Sequence, residues 1–106
     1  MEVLTRHEGN CLEFFLKGEL DHHGAQGLLL RLEQDIQKAL PMVLILDFTD
    51  VTFMDSSGIA LLMRAKRCMD DLDGGLLVCR VRPQVKRVMD AAGIGRLIHI
   101  RQEESE

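Results

Sequence analysis

Residues 43–59 carry the feature that most narrows what this chain can become. An apolar run of strand length, Val43-Leu44-Ile45-Leu46, passes through a polar turn. Asp55-Ser56-Ser57-Gly58 then stands directly ahead of a helical pattern in Ile59, Leu62, Met63 and Met69. A buried strand feeding a helix is the repeating unit of a parallel sheet. The spacing predicts a helix through Gly58–Met69 whose first turn carries Ser56.

The flanking sequence repeats the scheme. Met1–Arg6 reads as a short edge strand and His7-Glu8-Gly9-Asn10 as a hairpin turn into a strand at Cys11–Leu16. After Gly18-Glu19-Leu20, Asp21 is a suitable N-cap for a helix beginning at His22 or His23. Its apolar stripe is Leu29, Leu32, Ile36 and Leu40, and Pro41 stops it. Met42–Leu46 is apolar on both alternations, which predicts a central strand covered on both faces. Beyond the Asp70–Gly75 turn, Leu76–Cys79 is a further apolar strand. Pro83 suits a first helical turn, Val85, Val88, Met89 and Ala92 form a stripe, and Gly93 ends that helix. Leu97–Ile100 is the last predicted strand, and Gln102–Glu106 reads as a frayed end.

Strands alternating with helices over short connections require right-handed crossovers. The expected fold class is α/β: one domain over residues 1–106, with a mixed, mostly parallel sheet of about five strands. The N-terminal strand lies antiparallel at one edge and the helices pack on the sheet.

Composition removes several function classes. The formal charge of −4 argues against a nucleic-acid partner, which would need a concentrated basic face. No apolar run approaches the roughly 20 residues of a membrane span, and no signal segment opens the chain, so a soluble, intracellular protein without a membrane partner is expected. The 3 cysteines form no CxxC pair and lack zinc-ligand spacing, so Cys11, Cys68 and Cys79 read as reduced thiols. No metal or cofactor is implied, and a monomer is expected.

The residues with chemical potential cluster around Ser56. At a helix N-terminus, unpaired backbone N–H groups and the positive end of the macrodipole would tolerate a phosphate on that hydroxyl. Ordinary capping, with Asp55 or Ser56 accepting the first free amides, explains the same residues. A serine nucleophile elbow is excluded because position 54 is Met. Asp47, Asp50 and Asp55 at strand ends could suggest magnesium or phosphotransfer, or simply turns. His22 and His23 are neighbours on a helix and point in different directions, which disfavours one shared metal ion. Gly74-Gly75 lacks the Lys-Ser of a phosphate loop.

Taken together, Gly18-Glu19-Leu20-Asp21-His22-His23, Leu44-Ile45-Leu46-Asp47, Asp50-Val51-Thr52-Phe53-Met54-Asp55-Ser56-Ser57-Gly58, Pro83-Gln84-Val85-Lys86-Arg87 and Ala92-Gly93 resemble the STAS domain family. Within it they look most like the sporulation anti-sigma factor antagonists. That resemblance implies a cytoplasmic, non-enzymatic regulator whose unphosphorylated form binds an anti-sigma factor serine kinase and releases a sigma factor. It places phosphorylation on Ser56, with a serine phosphatase reversing it. The implied partner-binding residues are Asp21, His22, Asp55, Ser56, Ser57 and Gly58. Members of that family often continue past the last strand into a further helix, and with Gln102-Glu103-Glu104-Ser105-Glu106 in its place that element is expected to be short or lost. Gly24 and Gly27 weaken the opening turns of the first helix. The alternatives are a STAS scaffold subunit of a larger signalling or transport assembly and, with no phosphate loop or base to support it, an enzyme.

Overall fold

The computed structural model describes residues 1–102. Its elements are β1 (Glu2–Glu8), β2 (Cys11–Leu20), α1 (His22–Ala39), β3 (Val43–Met54), α2 (Ser56–Asp71), β4 (Gly75–Cys79), α3 (Pro83–Ala91), a 3-10 turn (Ile94–Arg96) and β5 (His99–Arg101). The sheet runs β1-β2-β3-β4-β5, with β1 antiparallel to β2 and every other pair parallel. This is the expected α/β fold with its antiparallel N-terminal edge.

Each strand lies beside its predecessor in sequence, so right-handed crossovers deliver all helices to one face of the sheet. The burial pattern agrees. Leu12, Leu44 and Leu76 form one cross-strand row, and Phe14, Leu46 and Val78 the next; all are buried except half-buried Leu76. Between the rows, Glu13, Ile45 and Leu77 align on the opposite face, where Ile45 is only half-buried. The expectation that Met42–Leu46 is covered on both faces is therefore corrected: Val43 is 38% exposed and Met42 49%. Continuous apolar character came from residues that sit half-wet on an uncovered face.

β2 and β3 are longer than their apolar runs. β2 continues to Leu20 and β3 to Met54, because two register shifts, after Phe15 and after Gly18, keep the pair hydrogen-bonded through the polar stretch. Gly18 takes φ +119 there. The segment read as a polar turn is thus strand, with Val51 and Met54 buried.

Other boundaries shift for local reasons. Leu40 is not part of the buried stripe of α1: it is the left-handed C-cap, φ 48, and 63% exposed, while Gly24, Ala25 and Leu28 extend the stripe toward the N-terminus. On α2 the buried positions are Gly58, Leu61, Leu62, Ala65 and Met69, and Met63 faces outward. α3 stops at Ala91 with exposed Ala92 as its cap, and the strand expected at Leu97–Ile100 begins only at His99. Gln102 is not frayed. Its amide donates to the Val81 carbonyl and its oxygen accepts from the Val81 N–H, both at 3.0 Å. The remainder of that predicted frayed end, residues 103–106, lies outside the described residues.

Among the described residues Asp47 is the buried charged one, 5% exposed on the face that no helix covers. One oxygen accepts from the Thr49 N–H at 2.9 Å and the Thr49 hydroxyl at 2.6 Å; the other accepts from Arg80 Nη1 at 2.7 Å. Burial pushes the carboxyl up, but the Thr49 hydrogen bonds and the Arg80 charge outweigh it and hold the group below its ordinary value. Arg80 reaches Asp47 from a left-handed backbone, φ 58, immediately after β4.

Two glycines set how closely helices meet strands. A Cβ on Gly24 would lie 2.5 Å from the Glu19 carbonyl oxygen, and one on Gly58 would lie 2.3 Å from Met54 Cγ and 3.1 Å from Leu20 Cδ2. Gly27 has open space around it. Gly24→Ala and Gly58→Ala are each expected to lower stability by about 1–3 kcal/mol through overpacking. Gly27→Ala should raise it by about 0.5–1 kcal/mol through helix propensity. Urea denaturation of the variants checks the opposite signs.

The depressed Asp47 carboxyl makes a pH-dependent prediction. A group whose folded pKa lies below its unfolded one contributes fully above the unfolded value, about 3.9, and loses that contribution as pH falls through the folded value. Arg80→Met should cost about 1–3 kcal/mol at neutral pH, because it strips a buried carboxylate of its counter-ion. The gap from wild type should narrow below about pH 4. Denaturation at both pH values tests it; an unchanged gap would assign the loss to packing of the arginine stem.

Candidate functional site

The parallel register between β2 and β3 assembles the site. Leu20 pairs with Met54 as the last residue of each strand, so the next residues, Asp21 and Asp55, leave the sheet side by side. Both become N-caps. Asp21 Oδ1 accepts from the Gly24 N–H and Asp55 Oδ1 from the Ser57 N–H, each at 2.8 Å. α1 and α2 therefore start at one rim with their N-termini facing the same way.

Ser56 is the first residue of α2 and is exposed. Its hydroxyl makes no hydrogen bond among the described residues, since Asp55 already serves as the cap. His22, exposed at the start of α1, and half-buried Ser57 line one small cavity of about 240 Å³, floored by Ala25, Leu29 and Leu61 and bordered by Arg64. Gly58 is buried under the rim, where its missing side chain lets α2 sit on Met54. The fold thus gathers Asp21, His22, Asp55, Ser56, Ser57 and Gly58 into one corner. His23 points away from it, into a cavity with Met1, Val3 and Gly27.

On the other side of Ser56 a shallow groove of about 630 Å³ runs between α2 and α3, lined by Ser56, Ile59, Ala60, Arg87, Val88, Ala91 and Ala92. Sequence reasoning assigned Ile59 and Val88 to core stripes and gave Arg87 no role. Both apolar residues are half-buried, packed on the core while also walling the groove. The available signal was the run of small residues Ala91-Ala92 opposite Ala60, which leaves a furrow where larger side chains would interlock. Phe53, 46% exposed at the end of β3, adds an aromatic surface near the same rim.

The three aspartates do not form a shared cation site. Asp47 is closed off by Thr49 and Arg80, Asp50 is exposed with its carboxylate 3.7 Å from Arg82, and Asp55 is occupied as a cap. Among the described residues no group of three or more His, Cys, Asp or Glu is arranged to hold a metal ion. Cys11 and Cys68 are half-buried free thiols and Cys79 is buried; burial pushes all three above the usual cysteine range. No helix among the described residues is long and apolar enough to cross a membrane.

Comparison with known proteins places this architecture. An anti-sigma F factor antagonist of Paenibacillus polymyxa is 28% identical over 104 residues, covering 98% of this chain and 89% of that protein. An anti-sigma-B factor antagonist of Listeria monocytogenes is 26% identical over 95 residues, covering 90% of this chain and 82% of the other. The solved structure of the anti-sigma factor antagonist SpoIIAA in its unphosphorylated form superposes with a TM-score of 0.84 at 23% identity, over 98% of this chain and 90% of that one. The STAS domain family model matches residues 2–106. A five-stranded sheet opening antiparallel and continuing parallel, with paired helix starts at one rim, is the architecture that match implies, and the chain belongs to the STAS domain family.

Proposed function

We propose that this chain is an anti-sigma factor antagonist. Its unphosphorylated form binds an anti-sigma factor serine kinase at the rim formed by Asp21, His22, Asp55, Ser56 and Ser57, with Gly58 setting the height of α2 beneath them. The observation that carries this reading is the placement of Ser56: an exposed, unbonded hydroxyl at the first residue of a helix whose cap is already supplied by Asp55. The names of the relatives support it. The kinase would transfer the γ-phosphoryl group of a nucleoside triphosphate to Ser56 Oγ, with loss of the hydroxyl proton and departure of the diphosphate; a phosphatase would return the hydroxyl.

The physics favours a change of partner affinity over a change of fold. A phosphate adds about −1.5 to −2 charges, which solvent accommodates while the rim is open. Docking would have to strip that solvent or set the charge against Asp55, which costs several kcal/mol unless the partner supplies a cation. The chain itself has no catalytic part in this scheme, and the cytoplasm is the compartment where such a partner acts.

A scaffold role in a larger assembly has one observation in its favour: the sheet face without helices carries Leu4, 73% exposed, Val43, 38% exposed, and half-buried Phe15, Ile45 and Leu77. Light scattering separates the two readings. The antagonist reading expects a mass near the 12.0 kDa of one chain, and stable self-association would favour the scaffold.

For the switch itself, Ser56→Ala should keep its kinase affinity, whereas Ser56→Asp should lose more than about tenfold, or about 1.4 kcal/mol. Calorimetric titration of an anti-sigma kinase measures both. Equal affinities for wild type and Ser56→Asp would sink the proposal.

A further inference from the structure

Most basic side chains of α2, α3 and the segment leading into α3 have acidic or carbonyl partners. Arg64 pairs with Glu33, Lys66 with Asp70 at 2.9 Å, Lys86 with Asp90 at 3.1 Å, and Arg82 donates to the Thr49 carbonyl at 2.8 Å. Arg87 is different. Exposed on α3, it makes no hydrogen bond or ion pair among the described residues, and it lines the same groove as Ser56.

The carboxylates close to this groove are committed elsewhere: Asp55 holds the Ser57 N–H and Asp90 holds Lys86. Between Ser56 and Arg87 the groove is apolar, walled by Ile59, Ala60, Val88, Ala91 and Ala92. An arginine with no partner beside an apolar floor can lay its aliphatic stem along that floor while its guanidinium stays wet. The planar fork then suits a phosphate, which it can engage with two parallel N–H donors.

We infer that Arg87 is the internal counter-ion of the phosphorylated protein: once Ser56 carries a phosphate, the Arg87 guanidinium crosses the α2–α3 groove, clasps it and covers the apolar floor. The inference rests on Ser56 being the modified residue, as in the proposed function. It adds a second arm to the switch. Phosphorylation introduces charge at the rim and also draws a side chain over apolar surface that a partner would otherwise reach. It further makes Arg87 part of what a phosphatase must displace.

The test uses the full chain with phosphoserine installed at position 56 during synthesis, in wild type, Arg87→Gln and Lys86→Gln backgrounds, and reads the phosphate by ³¹P NMR across a pH titration. A neighbouring guanidinium favours the dianion, so the second ionisation in wild type should fall below the usual value near 6. Arg87→Gln should raise it by about half a pH unit, and Lys86→Gln by clearly less. Coincident curves for wild type and Arg87→Gln, or an equal shift from Lys86→Gln, overturn the clasp. Since no kinase installs the phosphate, a flat result leaves Ser56 as the kinase target, and a kinase that ignores Ser56 leaves the clasp standing.

Discussion

The approach of α2 to the end of β3 is the constraint on which the corner holding Asp21, Asp55 and Ser56 depends. Met54 is the last inward residue of the strand and is 3% exposed, and Gly58 lies directly above it one turn into the helix. With a Cβ there, the methionine Cγ would be at 2.3 Å and the Leu20 side chain at 3.1 Å, so either the helix would lift or both side chains would leave their wells. Lifting α2 would move Ser56 and Asp55 away from the start of α1. Gly24 does the same for α1 against the Glu19 carbonyl. Each glycine costs helix propensity, up to about 1 kcal/mol, and the return is a pair of helix starts held at a common height.

The sheet beneath that corner is covered by helices on one side only, a consequence of strand order. Moving steadily from β2 to β5 with crossovers of one hand leaves no helix for the second face. The fold meets the consequence locally. Arg6 pairs with Glu13 and lies over the Phe15 ring at 5.9 Å, and Arg80 roofs Asp47. Asp47, Cys79 and Phe15 share one cross-strand row, so Arg80 covers that row where β4 ends, midway along the longer β2 and β3. Its left-handed backbone carries a conformational cost, and the ion pair with a buried carboxylate is what offsets it.

Much of this was legible in the residues, and the gaps have physical causes. Element order, the antiparallel edge and the Asp21 cap followed from periodicity and capping chemistry, which act locally; the second cap stayed open between Asp55 and Ser56 until the structure placed it on Asp55. The length of β2 and β3 did not, because Asp47–Asp50 looks like a turn unless the partner strand is known to shift register at Phe15 and Gly18. Leu40 and Met63 matched helical spacing yet face solvent, since a period of 3.6 says which residues share a face and leaves the limits of the stripe to the neighbours. The rim residues were identified through family resemblance; their coming together required the Leu20–Met54 register, a long-range fact that no window of sequence contains. Arg87 was invisible for the same reason: its significance lies in what it fails to pair with on α3 and in facing Ser56 across a groove.

The proposed modification of a residue at a helix start would separate two quantities that are usually coupled. Residues buried in the core cannot change charge without unfolding penalties, and residues far out on the surface change charge with little effect on anything. Ser56 stands between these limits. Its backbone is locked by Asp55 and by the seat of Gly58 on Met54, so the hydroxyl occupies a fixed place; its side chain touches no core residue through hydrogen bonds, so the proposed modification would leave the packing undisturbed. Under the proposed scheme a phosphate there would alter the cost of removing water from the rim, and that cost would fall only on a molecule that tries to dock there. The fixed position would make such an altered surface reproducible from one molecule to the next, which would allow a single covalent group to discriminate between partners.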